Sequence, residues 1–246
     1  MTGQVTPIVA VGGTWASKGD DQWWQPDSAW WRYLRRRGFD AAHLVAATPQ
    51  HPFEWDTDLG SSFKFWKHWW PGRDEYNGWK YGGYHLADYL DALPYDQRVV
   101  VAHSHGGQLA FYAAKRTPIY RLLTLSTPRR LDVQQYAAEL ALQEGLSAPR
   151  EEEQRLSDAD RDRLEAARAR RGIGTWWHVY ASSRDWVAKF GGLGDGRLTG
   201  DRSHPGADQN VLIPGIGHSK LVSDPAFFHV WDDQQLVAFL KREGDA

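Results

Sequence analysis

Val99-Val100-Val101-Ala102-His103-Ser104-His105-Gly106-Gly107 is the stretch on which the reading of this chain turns. A β-branched run goes straight into a serine flanked by small residues. Gln108 to Arg116 then continues as a good helix former that stops before Pro118. Strand, one-residue turn and helix make a nucleophile elbow, the Gly-x-Ser-x-Gly pattern with small residues allowed at both ends. The turn is so tight that a side chain two residues before or after the serine would collide with the neighbouring element, and Ala102 and Gly106 are small there. This geometry predicts a Ser104 hydroxyl exposed at a helix N-terminus, with the backbone N–H of His105 free to donate. A plain strand-to-helix connection fits Ser-x-Gly-Gly as well, so the rest of the chain has to decide.

Outward from the elbow, strands and helices alternate. Ile8-Val9-Ala10-Val11 reads as a buried strand closed by Gly12-Gly13. Asp27 is placed to cap a helix whose Trp30, Tyr33 and Leu34 share a face, ended by Gly38. His43 to Ala47 reads as a second strand. Leu86, Tyr89, Leu90 and Leu93 mark a helix face before Pro94, and Leu122 to Ser126 a strand. Val133, Tyr136, Ala137, Leu140 and Ala141 mark another helix. Trp176 to Ala181 and Val211 to Ile213 read as the last strands. Leu236, Phe239 and Leu240 lie on a C-terminal helix with Asp232 as its cap. Such alternation predicts an α/β fold, a mostly parallel central sheet with helices on both faces.

At 246 residues the chain fits one domain over 1–246. Two excursions interrupt it, at about 48–80 and 147–172. The first has no clean period and is long for a connection, which often marks a functional loop. In the second, 14 of the 22 residues from Arg150 to Arg171 are charged, which predicts a solvated helical excursion, either a cap over the site or a surface insertion.

With 29 basic and 31 acidic residues the net charge is −2, so there is no electrostatic case for nucleic acid or an anionic membrane. No apolar run reaches the length of a membrane span. The N-terminus lacks the basic start and apolar core of a signal peptide, which places the protein in the cytoplasm if Met1 is the natural start. Zero cysteines exclude disulfides, a thiol nucleophile and cysteine-ligated metal. Oligomeric state is not legible in the sequence.

A serine hydroxyl needs a base, a group to orient that base, and donors for the developing oxyanion. Asp185 follows the strand at 176–181 through Ser182-Ser183-Arg184, and His218 follows 211–213 through Pro214 to Gly217. Both therefore lie beyond carboxyl ends of parallel strands, the edge on which the elbow opens. His103 and His105 compete for the base, but side chains next to an elbow serine point away from its hydroxyl. Asp195, Asp201 and Asp208 compete for the acid, yet only Asp185 directly follows a strand.

In the order Ser, Asp, His these segments resemble the α/β-hydrolases. Tyr180 to Val187 looks like the family's acid-bearing segment, and Gly217-His218-Ser219-Lys220-Leu221-Val222 like its histidine segment. Ile8 to Thr14 is similar to the strand and oxyanion loop of lipases and esterases, with Gly12 in place of the usual histidine. The resemblance covers roughly residues 5 to 243 without the two excursions. It implies a serine hydrolase cleaving a carboxylic ester: Ser104 attacks, His218 moves the proton, and Asp185 orients the imidazole. The amides of Thr14 and His105 would form the oxyanion hole, worth about 3 kcal/mol per donor. The substrate would be a small-molecule or lipid-like ester, with no cofactor. An acyltransferase of the same fold, or a non-catalytic binding protein of that fold, stays open.

Ten of the 14 tryptophans fall at or before Trp79. Trp66, Trp69 and Trp70, with Trp15 beside the oxyanion loop, are candidates for an aromatic substrate wall. Trp23, Trp24, Trp30 and Trp31 are also placed to overhang the serine. The opposing reading is that an irregular insertion packs on itself with indoles. His51, Asp56, Asp58, His68 and Asp74 share the first excursion without tight ligand spacing, so no metal is expected.

Overall fold

The structure is a computed structural model that describes residues 8–12, 23, 27–39, 83–104, 106–127, 172–181, 203–204 and 206–241. The elements are β1 (Ile8–Val11), α1 (Ala29–Arg35), α2 (83–91), β2 (Val99–His103), α3 (Gly106–Ala114), β3 (Ile119–Leu125) and β4 (Ile173–Ala181). They continue with β5 (Gln209–Ile213), α4 (Lys220–Ser223), α5 (His229–Asp233) and α6 (Leu236–Leu240). The excursion at 48–80, all of 147–171, the strand expected at 43–47 and the helix expected at 133–141 lie outside the described residues.

The five strands form one sheet in the order β1-β2-β3-β4-β5, and every pairing is parallel. Parallel strands are buried on both faces, which is why they read as apolar runs. Period-two alternation divides them between two cores. Ile8, Ala10, Val99, Val101, Leu123, Leu125, Val179 and Val211 pack with α1 and the C-terminal helices. Val9, Val11, Val100, Ala102, Leu122 and Trp176 pack with α2 and α3. The protein is therefore a three-layer α/β fold.

Several expectations are corrected in detail. Ser28, not Asp27, caps α1: its Oγ accepts from the Trp31 N–H at 3.2 Å and donates to the Trp23 carbonyl at 2.5 Å. Asp232 caps no helix. The C-terminal segment breaks into α5 and α6 at Gln235, which takes the left-handed conformation at φ 57°, so Asp232 belongs to α5. There its carboxylate pairs with Arg37, just past α1, with Arg37 Nε 2.8 Å from Oδ1. The pair ties together two helical elements on the same face. β4 begins at Ile173 and β3 at Ile119, both earlier than their apolar runs suggest.

Trp30 and Trp31 are core residues and do not overhang the serine. Both are fully buried on α1. Trp30 meets Trp31 edge-on at 4.7 Å, Trp23 edge-on at 4.8 Å and Trp231 at 5.5 Å. Tilted and edge-to-face contacts of this kind are the favoured geometry for quadrupolar rings. Three of the ten early tryptophans therefore hold α1 and the C-terminal helices to the sheet.

Candidate active site

Because all five strands are parallel, Gly12, Ser104, Ser126, Ala181 and the turn after Ile213 leave the sheet at one edge. Ser104 stands at the end of the second strand. Its N–H donates to the Leu125 carbonyl at 2.8 Å, continuing the β2–β3 ladder by one step, and its φ of 54° then turns the chain into α3. Its carbonyl accepts from Gly107 at 3.1 Å. A non-glycine residue in the left-handed region costs about 1–2 kcal/mol, which the flanking strand and helix must offset. Ser126 repeats the device at the end of β3: φ is 50° and its N–H donates to the Val179 carbonyl at 2.8 Å.

The two glycines after the elbow have separate causes. A Cβ on Gly106 would stand 2.6 Å from the carbonyl oxygens of both Val11 and Gly12. A Cβ on Gly107 would run into the Thr127 side chain. The start of α3 is thus pressed against the end of β1 on one side and the end of β3 on the other. One expectation fails here: Ser104 is buried, only 3% exposed, rather than open to solvent. Close packing on both sides of the turn encloses it.

His218 comes to the same edge. It lies half-buried in the turn after β5, where Gly215 has a φ of 77°, immediately before α4. Its main chain is bonded to His103, the residue before the serine. The odd-numbered residues of β2 face α1 and the C-terminal helices, so His103 points to the side from which the His218 loop arrives. His103 Nε2 donates to the His218 carbonyl at 3.1 Å, and the two rings lie 4.8 Å apart at 52°. Since a carbonyl only accepts, this bond assigns the hydrogen to Nε2 of His103. Trp23 meets the His103 ring edge-on at 6.1 Å, joining the aromatic cluster to the site. The contact of His103 with the His218 segment was not legible in the sequence. Strand parity signals only the face on which His103 lies.

On the opposite face lies a buried polar cluster that the sequence reading also missed. His178 is fully buried, and its Nδ1 lies 2.8 Å from Thr124 Oγ1, the residue beside it in the β3–β4 register. Trp176 Nε1 donates to the same oxygen at 2.8 Å. Thr124 Oγ1 also lies 3.4 Å from the Trp177 carbonyl, to which its hydroxyl can donate. His204 packs edge-on to His178 at 4.4 Å, with Nε2 3.3 Å from the Thr127 carbonyl. His204 exchanges bonds with the Asn210 side chain at 2.8 and 2.9 Å. These histidines are committed to structure. Asp208 is likewise engaged, its Oδ2 accepting from the Trp176 N–H at 2.9 Å.

Asp185, Thr14, His105, Trp15, Trp66, Trp69 and Trp70 lie outside the described residues, as do Asp195, Asp201 and the polar residues of the first excursion. Among the described residues, no helix is long and apolar enough to cross a membrane.

Comparison with known proteins matched no family model and no curated protein. Among solved structures, the chain is similar to the Zea mays acyl-protein thioesterase 2, at 16% identity over 68% of this chain and 67% of that one, with a TM-score of 0.38. At that level of likeness the functional reading rests on the residues at the sheet edge.

Proposed function

We propose that this protein is a serine hydrolase that cleaves a carboxylic ester through an acyl-Ser104 intermediate. The observation that carries the reading is Ser104 in the left-handed conformation between a central parallel strand and the N-terminus of α3, with the His218 loop bonded to the adjacent residue. A tight turn of this kind isolates one side chain from both flanking elements, and φ-positive serines persist where function needs them.

In this mechanism Ser104 Oγ attacks the ester carbon while His218 takes its proton. His218 then returns the proton to the departing alcohol; water, deprotonated by the same imidazole, attacks the acyl carbon, the bond to Ser104 Oγ breaks, and His218 returns the proton to Oγ as the acid leaves. Asp185 orients the imidazole and offsets its positive charge. The amides of Thr14 and His105 receive the oxyanion. The nearness of the Gly12 carbonyl to Gly106 supports this part, because it brings the chain leading to Thr14 to the start of α3. Trp15, Trp66, Trp69 and Trp70 line the acyl or alcohol side of a bulky ester.

A fluorophosphonate probe, with a panel of short- and long-chain nitrophenyl esters, tests the reading. The expected result is a covalent adduct on Ser104 by mass spectrometry, lost in Ser104→Ala together with ester turnover. An adduct on another serine refutes the assignment, and absence of labelling favours a binding protein. Labelling without hydrolysis, together with acyl transfer to an added alcohol, favours a transferase.

A further inference from the structure

We infer that His103 is a positioning residue for the catalytic base, holding His218 in register with the serine through the His218 main-chain carbonyl. The inference rests on the assignment of Ser104 and His218 as nucleophile and base.

Three observations carry it. His103 is covalently adjacent to Ser104 and occupies the last position of β2, a central strand whose main chain is bonded on both sides. Its place is therefore as fixed as that of the serine. The His218 loop has weaker local support: it follows β5, which pairs with one strand only among the described residues, contains Gly215 at φ 77°, and leads into a helix of one turn. The bond from His103 Nε2 to the His218 carbonyl joins the fixed element to the adaptable one at the residue that matters. Finally, the His103 ring packs against His218 at 4.8 Å and against Trp23 at 6.1 Å, and the residue is buried. A ring so confined presents Nε2–H in one direction.

The consequence is geometric. A base must lie within hydrogen-bond reach of the proton it removes, and small displacements of a reacting group cost large factors in rate. Loss of the Nε2 donor removes this restraint on the His218 peptide while leaving both side chains of the proton transfer in the protein. The defect should fall on serine activation and not on substrate affinity.

The test compares His103→Gln and His103→Phe with the wild type. Glutamine keeps an N–H donor near the position of Nε2, and phenylalanine keeps the ring without the donor. The readouts are the second-order rate of fluorophosphonate labelling at Ser104 across pH, kcat and KM on a nitrophenyl ester, and the thermal midpoint. His103→Phe is expected to slow labelling and lower kcat at least tenfold with KM within about twofold. His103→Gln should stay within about threefold of the wild type. Should His103→Phe fail to fold, His103→Asn, whose amide is too short to reach the carbonyl, takes its place with the same expectation. Labelling of His103→Phe at the wild-type rate overturns the inference, as does a glutamine variant as slow as phenylalanine. Wild-type protein that is not labelled at Ser104 instead refutes the hydrolase assignment, so the two failures are distinct.

Discussion

Gly106 and Gly12 meet so closely that a methyl group added to the first would stand 2.6 Å from the carbonyl oxygen of the second. These glycines come from motifs nearly a hundred residues apart in the chain, the strand-end turn of β1 and the start of α3. They form one structural joint. It fixes the end of β1 against the start of α3, and under the proposed mechanism the oxyanion donors come from the segments that flank this joint.

Gly106→Ala follows directly from this joint. The carbonyls of Val11 and Gly12 belong to the end of a strand registered against β2, with Val11 opposite Ala102, so they cannot retreat without breaking the ladder. Overpacking of this kind costs about 1–3 kcal/mol. The variant is expected to unfold at lower temperature and to label with fluorophosphonate more slowly than its folded fraction explains. A midpoint and labelling rate equal to wild type would show that the two turns separate freely.

Ser104 itself offers a comparison of two variants that lack the hydroxyl. Ser104→Ala keeps a Cβ at a φ of 54°, whereas Ser104→Gly removes it. Glycine occupies that region without the steric cost, although it has more conformational freedom to lose on folding. Ser104→Gly should therefore exceed Ser104→Ala in stability by about 1 kcal/mol. Urea unfolding checks the difference, and an alanine variant equal to or more stable than glycine would argue against a strained turn.

The Arg37–Asp232 pair is a stability device with a defined pH signature. The hydrogen bond from Arg37 holds the Asp232 carboxyl below its ordinary value of 3.8, and Arg37 is correspondingly raised. Arg37 also lies over the Tyr33 ring at 3.6 Å. A depressed carboxylate contributes stability above its unfolded pKa and loses it as pH falls through the folded value. The side chains are 28% and 43% exposed, so screening limits the effect to at most about 1 kcal/mol. Asp232→Asn should lower the thermal midpoint at pH 7, with a deficit that is constant down to about pH 4, shrinks below it, and weakens in high salt. A deficit unchanged well below the carboxylate range would assign the effect to packing.

Sequence legibility followed the strands and faded where side chains choose partners across the fold. β1, β2 and β3 were readable because strands buried on both faces must be continuous apolar runs, and Ala102 and Gly106 marked the elbow through size alone. The order of Ser104, Asp185 and His218 placed them at strand ends, and the structure brings the Ser104 and His218 segments to one edge. Trp30 is legible as a core residue from the helix face it shares with Tyr33 and Leu34, whereas Trp31 is not, because adjacent positions on a helix rarely both face a core. Here both are buried, and Trp30 packs against Trp231 as well as Trp31. The partners of His103, His178 and Asp232 lie 115, 54 and 195 residues away in the chain, and no local pattern encodes such choices.

Thr124 and Thr127 carry the last prediction, because the same substitution should act on them with opposite sign. Both are buried, at 0% and 2% exposure, and lie near the carboxyl end of β3. Thr124 Oγ1 receives the Trp176 indole N–H and meets His178 Nδ1, each at 2.8 Å. Valine there removes the partner that both groups share, and a buried polar group left without its bond costs about 1–3 kcal/mol. Thr124→Val is therefore expected to lose about 2–4 kcal/mol in urea unfolding. Thr127 Oγ1, by contrast, is buried and finds no hydrogen-bond partner among the described residues. Its hydroxyl was stripped of water on folding and has no bond in return, so a methyl group of similar size relieves that cost. Thr127→Val should be neutral or more stable by up to about 1 kcal/mol. Destabilisation of both variants to the same degree would mean that the Thr127 hydroxyl has a partner after all. A harmless Thr124→Val would mean that His178 and Trp176 find other bonds within the core.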